Sequence, residues 1–270
     1  MKSIDIIKDE IKHNGFAIIP NLITSSEITE YKEEFNNWYL TACPNVGAGI
    51  LSTHQCGHQR FAWKLRLNRK VQHIFRYLWN TDDLVTGFDG CCFIKKEVTN
   101  ADHNWTHIDQ TSNPDSYCYQ SFVSLTSNKE RTFVAYEGSN QLFREYAAEY
   151  LKETNPNKIG YRIEPEFLDK IKNTRKAVEV NAGDMVIWDS RTFHQNQFGK
   201  PESEERLVQY ISFMPRENDT DHDKRLQYFN ERITTSHWAY PMSGKHMTTD
   251  YTKSTRPRLD DLMERIEEVL

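Results

Sequence analysis

The sequence predicts a mainly β domain, a sandwich or barrel, with helices flanking it. Three observations lead there. Short apolar runs recur at 85–95, 117–127, 132–136, 177–180, 184–188 and 206–214 with turn residues between them, and strands spaced in this way build sandwiches or barrels. Helical periodicity is concentrated before and after these runs. Finally, 270 residues with 37% hydrophobic and 12% aromatic side chains can bury one sizeable core, and 27% charged residues without single-sign blocks argue against disorder.

The first element is a helix over 4–13, with Ile4, Ile7 and Ile11 at helical spacing and Asn14-Gly15 to stop it. Phe16-Ala17-Ile18-Ile19 reads as a buried strand ended by Pro20. The hydroxyls of Thr24, Ser25 and Ser26, with acidic Glu27, open a second helix through Ile28, Tyr31, Phe35 and Trp38. Residues 43–57, rich in Gly, Pro, Ser and Thr, form a loop near a pocket mouth. His54-Gln55-Cys56-Gly57-His58 lacks the second Cys or His pair of a zinc site, which leaves a structural or substrate-facing segment. A third helix runs through Val71, Ile74, Phe75, Leu78 and Trp79 to Asn80-Thr81-Asp82-Asp83.

Inside the first predicted strand, Cys91 and Cys92 face opposite sides and read as two packed thiols. Helices at 141–152 and 167–171 interrupt the strands. After Pro215 the composition turns polar, and the tail ends in the helical pattern Leu259, Leu262, Ile266, Leu270. Arg232-Ile233-Thr234-Thr235-Ser236-His237-Trp238 reads as a lid or a packing strap. The plan is one domain over 1–270: a helical and strand segment at 1–84, the β core at 85–215 and an appendage at 216–270.

A formal net charge of −5 supplies no broad cationic field, which disfavours nucleic acid or an anionic membrane as partner. The charged start MKSIDIIKDE does not read as a signal peptide, no segment approaches spanning length, and the C-terminus matches no retention or peroxisomal address. A cytoplasmic protein is expected, its five scattered cysteines reduced. The oligomeric state is open.

The chemistry centres on His107-Ile108-Asp109. A histidine and a carboxylate two apart on an extended strand point the same way and can grip one metal ion. Two imidazoles and one carboxylate on one face of an octahedral Fe(II) leave positions open for a cosubstrate and oxygen, so a second histidine is required. His194 is the candidate, because it closes the turn, apolar strand and polar end of Gly183-Asp184-Met185-Val186-Ile187-Trp188-Asp189-Ser190-Arg191-Thr192-Phe193-His194. Arg206 follows across a turn containing Gly199 and Pro201, and a hairpin returns it beside His194. A guanidinium there suits the far carboxylate of a dicarboxylate whose other end chelates the metal. Trp105 and Trp188 are candidates for the cavity wall, Trp188 more naturally for the core. Arg191 reads as bonded to a carboxylate. Of the other histidines, only His103 lies near the motif, and His13, His73, His222, His237 and His246 read as surface or packing residues.

These residues resemble the phytanoyl-CoA dioxygenase-like Fe(II)/2-oxoglutarate oxygenases. The resemblance rests on 14–20 (NGFAIIP), on His107-Ile108-Asp109-Gln110, on Gly138-Ser139-Asn140, and on 183–188 (GDMVIW) with His194 and Arg206. It departs at Asn140, where the family usually has histidine. The resemblance implies a double-stranded β-helix, the jelly-roll barrel of cupin-like proteins. It implies Fe(II) held by His107, Asp109 and His194, with 2-oxoglutarate anchored on Arg206. Gln120 and Asn196 are implied as further cosubstrate or substrate contacts, and O2 as the oxidant. A small-molecule substrate would be hydroxylated with release of succinate and CO2. Related halogenases lack the carboxylate, so Asp109 favours hydroxylation. Two rivals are a non-catalytic binding module and a non-oxygenase metal enzyme on a cupin-like barrel; neither has a use for the full set with Arg206.

Overall fold

Along β6 (Tyr119–Ser124) the side chains alternate between two environments, and this period of two divides the molecule into layers. Phe122 points into a core shared with Val186, Trp188 and Val208 of its own sheet and with Phe133, Ala135 and Val178 of another. Tyr119 and Val123 point the opposite way, under helices. The computed structural model describes residues 2–42, 48–151, 158–242 and 256–270.

The larger sheet runs β1 (Phe16–Ile19), β10 (Met185–Asp189), β6, β12 (Arg206–Pro215), β4 (Cys91–Ile94) and β2 (Gly49–Leu51), with β3 (Leu84–Thr86) also on β12. The smaller runs β8 (Tyr161–Arg162), β5 (His107–Ile108), β11 (His194–Asn196), β7 (Asn128–Tyr136) and β9 (Arg175–Val180). From β4 to β7, and again from β9 to β12, successive strands alternate between the sheets, as in a double-sheet jelly roll. Among the described residues no strand pair joins the two sheets. The expected jelly-roll barrel is therefore present as two sheets that do not close into a barrel.

Helices α1 (Ile4–Asn14), α2 (Ser25–Ala42) and α4 (Arg69–Trp79) cover the larger sheet, where Ile7, Ile11, Phe35, Ile74 and Phe75 meet Ile187 and Phe213. The sequence sets their ends. Gly15 ends α1 in the left-handed conformation (φ 87°), its N–H donating to Ile11 O. Thr24 and Glu27 exchange a capping box, Thr24 N–H to Glu27 Oε2 at 2.8 Å and Glu27 N–H to Thr24 Oγ1 at 3.3 Å. On the smaller sheet, α5 (Ser139–Tyr150) and α6 (Pro165–Lys170) pack Phe143, Tyr146 and Phe167 over Ile108 and Phe193. Asn140 donates to the Ile11 and Lys12 carbonyls and so ties α5 to the end of α1.

The strand expected over 85–95 is two strands, β3 and β4, parted by Gly87-Phe88-Asp89-Gly90. A Cβ at Gly90 would lie 1.9 Å from Leu51 O, so the chain crosses its neighbour too closely for any other residue. Helices α3 (Arg60–Arg66) and α7 (His222–Glu231) are additional to the expected elements. Of the predicted 43–57 loop, 43–47 lie outside the described residues, as do Lys152 of the predicted 141–152 helix and 243–255 of the tail. Short α8 (Met263–Glu267) and its neighbours bring Leu259, Leu262, Ile266 and Leu270 into the core beneath α2 and α4. Cys56, Cys91, Cys92 and Cys118 are buried and in no disulfide, with Cys56 Sγ 3.3 Å from Cys91 Sγ. Among the described residues no helix is long and apolar enough to cross a membrane.

Near the start of β7 the ladder is irregular, and Glu204 Oε1 accepts from the N–H groups of Lys129, Glu130 and Arg131 at 2.6, 2.8 and 3.0 Å. Burial pushes this carboxyl up, but the backbone donors outweigh it and hold the group below its ordinary value. Its stabilisation is therefore present above the unfolded pKa and lost as pH falls through the folded one. Glu204→Ala is expected to destabilise the protein by about 1–2 kcal/mol and Glu204→Gln, which keeps an acceptor, by less, measured by chemical denaturation at neutral pH.

Candidate metal centre

Strands β5 and β11 are antiparallel neighbours, with His194 opposite His107 in register. Asp109, two beyond His107, returns to the same side. Its Oδ2 lies 3.6 Å from His107 Nε2 and 3.3 Å from His194 Nε2. One ligand atom from each residue falls within 4.8 Å of the others, as one ion requires. His194 Nδ1 lies 2.8 Å from Thr192 O and His107 Nδ1 lies 3.3 Å from Trp105 O. A carbonyl only accepts, so each Nδ1 carries a proton, and each Nε2 is the nitrogen left to give a lone pair to a metal, which would displace any proton there. Trp105 stacks on His107 at 4.7 Å and 12°, and Ser139 Oγ accepts from Phe193 N–H, just before His194.

The electrostatics suit a cation. Burial pushes the Asp109 carboxyl up, but His237 and His107 beside it and hydrogen bonds from His107 and His194 outweigh burial and hold it well below the usual carboxylate range. Burial, then the neighbouring His107, depresses His194. Neutral imidazoles and an ionised carboxylate are the ligand forms of the two-histidine, one-carboxylate Fe(II) site, and these residues fit that ion.

Arg206 opens β12, fully buried and opposite Ile94 in the larger sheet, so the expected hairpin with the His194 strand does not form and Arg206 is not among the residues lining the cavity at the triad. Its Nη2 donates to Asn196 Oδ1 at 2.9 Å and its Nη1 to Arg131 O at 3.2 Å, and its guanidinium lies 5.1 Å from the Phe122 ring centre. Among the described residues no carboxylate pairs with it, and its Nε has no hydrogen-bond partner. Asn196 Nδ2 donates to Tyr210 OH at 2.9 Å. A buried cation with spare donors fits the far carboxylate of a dicarboxylate. Asn196 lies two steps along the strand from His194, about 7 Å, the reach of a five-carbon diacid.

Gln120 lies opposite Trp188 and Ser212 in the larger sheet, fully buried, and neither amide atom meets an oxygen or nitrogen partner. It faces the space between the sheets, yet it is not among the residues lining the cavity at the triad. Trp105, Trp188, Tyr210 and Ile50 give that cavity apolar walls. Arg191 is elsewhere: it pairs with Asp189 and lies 4.4 Å from the Tyr117 ring centre. His103 is exposed, as are His13, His73 and His222, and His246 lies outside the described residues.

His237, expected on the surface or in packing, is at the site. Its Nε2 lies 2.8 Å from Asp109 Oδ2 and its Nδ1 2.8 Å from Asp89 Oδ2, and both residues line the cavity. It does not join the set that can hold one ion. The run expected as a lid or strap is a strap: Thr235 N–H donates to Phe88 O, Phe88 N–H to Thr235 Oγ1, Gly57 N–H to Thr234 Oγ1, and Trp238 Nε1–H to Asp109 O. His58 Nε2 meets Ile233 O at 2.9 Å, so the 54–58 segment holds the strap.

Comparison with known proteins agrees with this arrangement. The chain is 26% identical to Ava biosynthesis cluster protein O of Aspergillus versicolor, with 79% of each chain covered. Its fold is similar to that of the epimerase SnoN, solved with Fe3+, alpha ketoglutarate and nogalamycin RO, at a TM-score of 0.57 and 18% identity over 78% of this chain and 83% of that one. It is similar also to the carbocyclase SnoK from nogalamycin biosynthesis, at a TM-score of 0.54 and 16% identity over 82% and 89%. Residues 11–197, which include His107, Asp109 and His194, match phytanoyl-CoA dioxygenase (PhyH), and the chain belongs to that family.

Proposed function

We propose that this protein is a non-haem Fe(II)- and 2-oxoglutarate-dependent dioxygenase that hydroxylates a small molecule and releases succinate and CO2. The observation that carries the reading is a buried guanidinium, Arg206, with no carboxylate partner among the described residues, on the sheet facing the triad's and bonded to Asn196, two beyond His194. A zinc hydrolase or a binding module on the same fold has no need of that cation. We read the two sheets as the double-stranded β-helix of cupin-like enzymes, and the chain as one domain working in the cytoplasm.

In this reading His107, Asp109 and His194 hold the metal, and Arg206 with Asn196 takes the remote carboxylate of 2-oxoglutarate. When bound, the iron supplies oxygen activation coupled to oxidative decarboxylation of the cosubstrate. The chain contributes geometry. The Thr192 and Trp105 carbonyls fix the histidine tautomers, Trp105 fixes the plane of His107, and the walls formed by Trp188, Tyr210 and Ile50 exclude water. Gln120 is assigned to cosubstrate or substrate contact from its inward-facing amide, which meets no oxygen or nitrogen partner among the described residues.

Anaerobic titration of the metal-free protein with Fe(II) and 2-oxoglutarate is expected to produce the weak visible charge-transfer band of a chelated 2-oxo acid, lost in His107→Ala and His194→Ala. No band despite bound metal would overturn the reading. Since the fold also carries an epimerase and a carbocyclase, the reaction outcome is read from product mass. Hydroxylation adds one oxygen atom, epimerisation leaves the mass unchanged, and ring closure removes two hydrogens.

A further inference from the structure

We propose that His237 is a positioning residue of the metal centre: it ties the carboxylate of Asp109 to the buried carboxylate of Asp89, so that the strap 232–238 completes the site. The inference rests on the metal-site reading above and extends it to a segment outside the family match, which ends at residue 197.

The contacts form one chain. Asp89 is anchored first: its carbonyl accepts from Arg66 Nη2 at 2.7 Å and Gln209 Nε2 at 3.1 Å, and its Oδ1 accepts from Gly90 N–H at 2.7 Å. That leaves Oδ2 facing His237 Nδ1, while His237 Nε2 reaches Asp109 Oδ2, each at 2.8 Å. The next residue, Trp238, donates Nε1–H to the backbone carbonyl of Asp109 at 2.8 Å. The strap thus grips Asp109 twice, once by its side chain and once by its backbone.

The strap itself is held on a second side, because Thr235 exchanges two hydrogen bonds with Phe88, the residue before Asp89. Rotation of Asp109 about its side-chain torsions is therefore opposed by a buried carboxylate reached through one rigid ring. A carboxylate oxygen has two acceptor directions, so Oδ2 can face the imidazoles of His107 and His194 and still accept from His237. Both His237 nitrogens face carboxylates, which makes the ring a brace and leaves neither nitrogen turned toward a substrate. A ligand held from outside in this way binds its metal more tightly because less ordering remains to be done on binding.

The test uses Co(II) as probe on the full-length protein, following its visible ligand-field spectrum and dissociation constant, with thermal unfolding of the metal-free protein alongside. His237→Ala is expected to weaken Co(II) binding roughly 10- to 100-fold and to shift the spectrum, with metal-free unfolding close to that of the parent. His237→Gln, whose amide can still donate to Asp109, is expected to recover part of the affinity. Asp89→Asn should weaken binding in the same direction, and combining it with His237→Ala should add little, since both cut one chain of contacts. If His237→Ala fails to fold, His237→Gln and Asp89→Asn carry the test. Unchanged affinity and spectrum in those two variants, or a loss of thermal stability alone, would overturn the inference while the metal site stands. Failure of the parent protein to take up Co(II), or parent-like binding by His107→Ala, would instead remove the metal-site reading itself.

Discussion

Asp109→Ala is expected to abolish succinate formation while the protein remains folded. Three imidazole nitrogens converge on Asp109 Oδ2, from His107 at 3.6 Å, His194 at 3.3 Å and His237 at 2.8 Å. Deleting the carboxylate leaves two neutral nitrogens to hold a divalent cation. The loss should exceed the roughly 100-fold that removal of an outer partner costs. The fold should persist because the change lies just beyond a two-residue strand, and the Trp238 bond goes to a backbone carbonyl that alanine retains. Metal content by elemental analysis and succinate release check the first claim, and thermal unfolding the second. Acid sensitivity gives a further sign. Asp109 is held well below the usual carboxylate range, so its contribution to the metal-free protein is present above the unfolded pKa and lost as pH falls through the folded value. The variant's stability should therefore fall less steeply on acidification. Succinate formation at the parent's rate would refute the triad.

The residues legible in the sequence are those joined by a local rule. His107 and Asp109 share a face by the period of two, and His194, after an apolar strand, pairs with His107 in register. Arg206 returns across a turn to the other sheet, opposite Ile94, so the expected hairpin with the His194 strand does not form and a side-chain bond to Asn196 links the two sheets there. Asp89 and His237 have no such rule. Asp89 sits in a run that reads as one strand, and only the close crossing of Gly90 over Leu51 breaks the strand there. His237 meets Asp109 across most of the barrel sequence, a pairing that no period encodes. A signal was available: Thr234, Thr235 and Ser236 form a run of hydroxyls between Ile233 and His237, and two of them bond the backbone of other segments. Helix α3 was hidden because Phe61, Ala62, Trp63, Leu65 and Arg66 are all buried, which erases the amphipathic stripe. That the two sheets do not close into a barrel has a different reason: alternation specifies which face is inward and says nothing about whether the edge strands pair.

Arg206→Met is expected to separate stability from function. In the protein without cosubstrate the Arg206 guanidinium is fully buried against Phe122, bonded to Asn196 and the Arg131 carbonyl, with no carboxylate partner among the described residues. An uncompensated buried charge is unfavourable, and an apolar side chain of similar length removes that penalty, so the cosubstrate-free variant should be as stable as the parent or more stable by about 1–4 kcal/mol. The dicarboxylate is what compensates the charge. Truncating one partner of a desolvated, hydrogen-bonded charge pair costs about 2–5 kcal/mol, which predicts a 2-oxoglutarate half-saturation raised roughly 30-fold to several thousand-fold. Arg206→Lys should fall between, keeping the charge while losing the planar fork. Arg206→Ala should show the same rise, with a cavity's destabilisation added. Thermal unfolding without cosubstrate and succinate release across a 2-oxoglutarate series read the two effects separately. Parent-like saturation in Arg206→Met would place the anchor elsewhere. A marked loss of stability in that variant would make Arg206 a structural residue, its bonds to Asn196 and the Arg131 carbonyl sufficient reason for its burial.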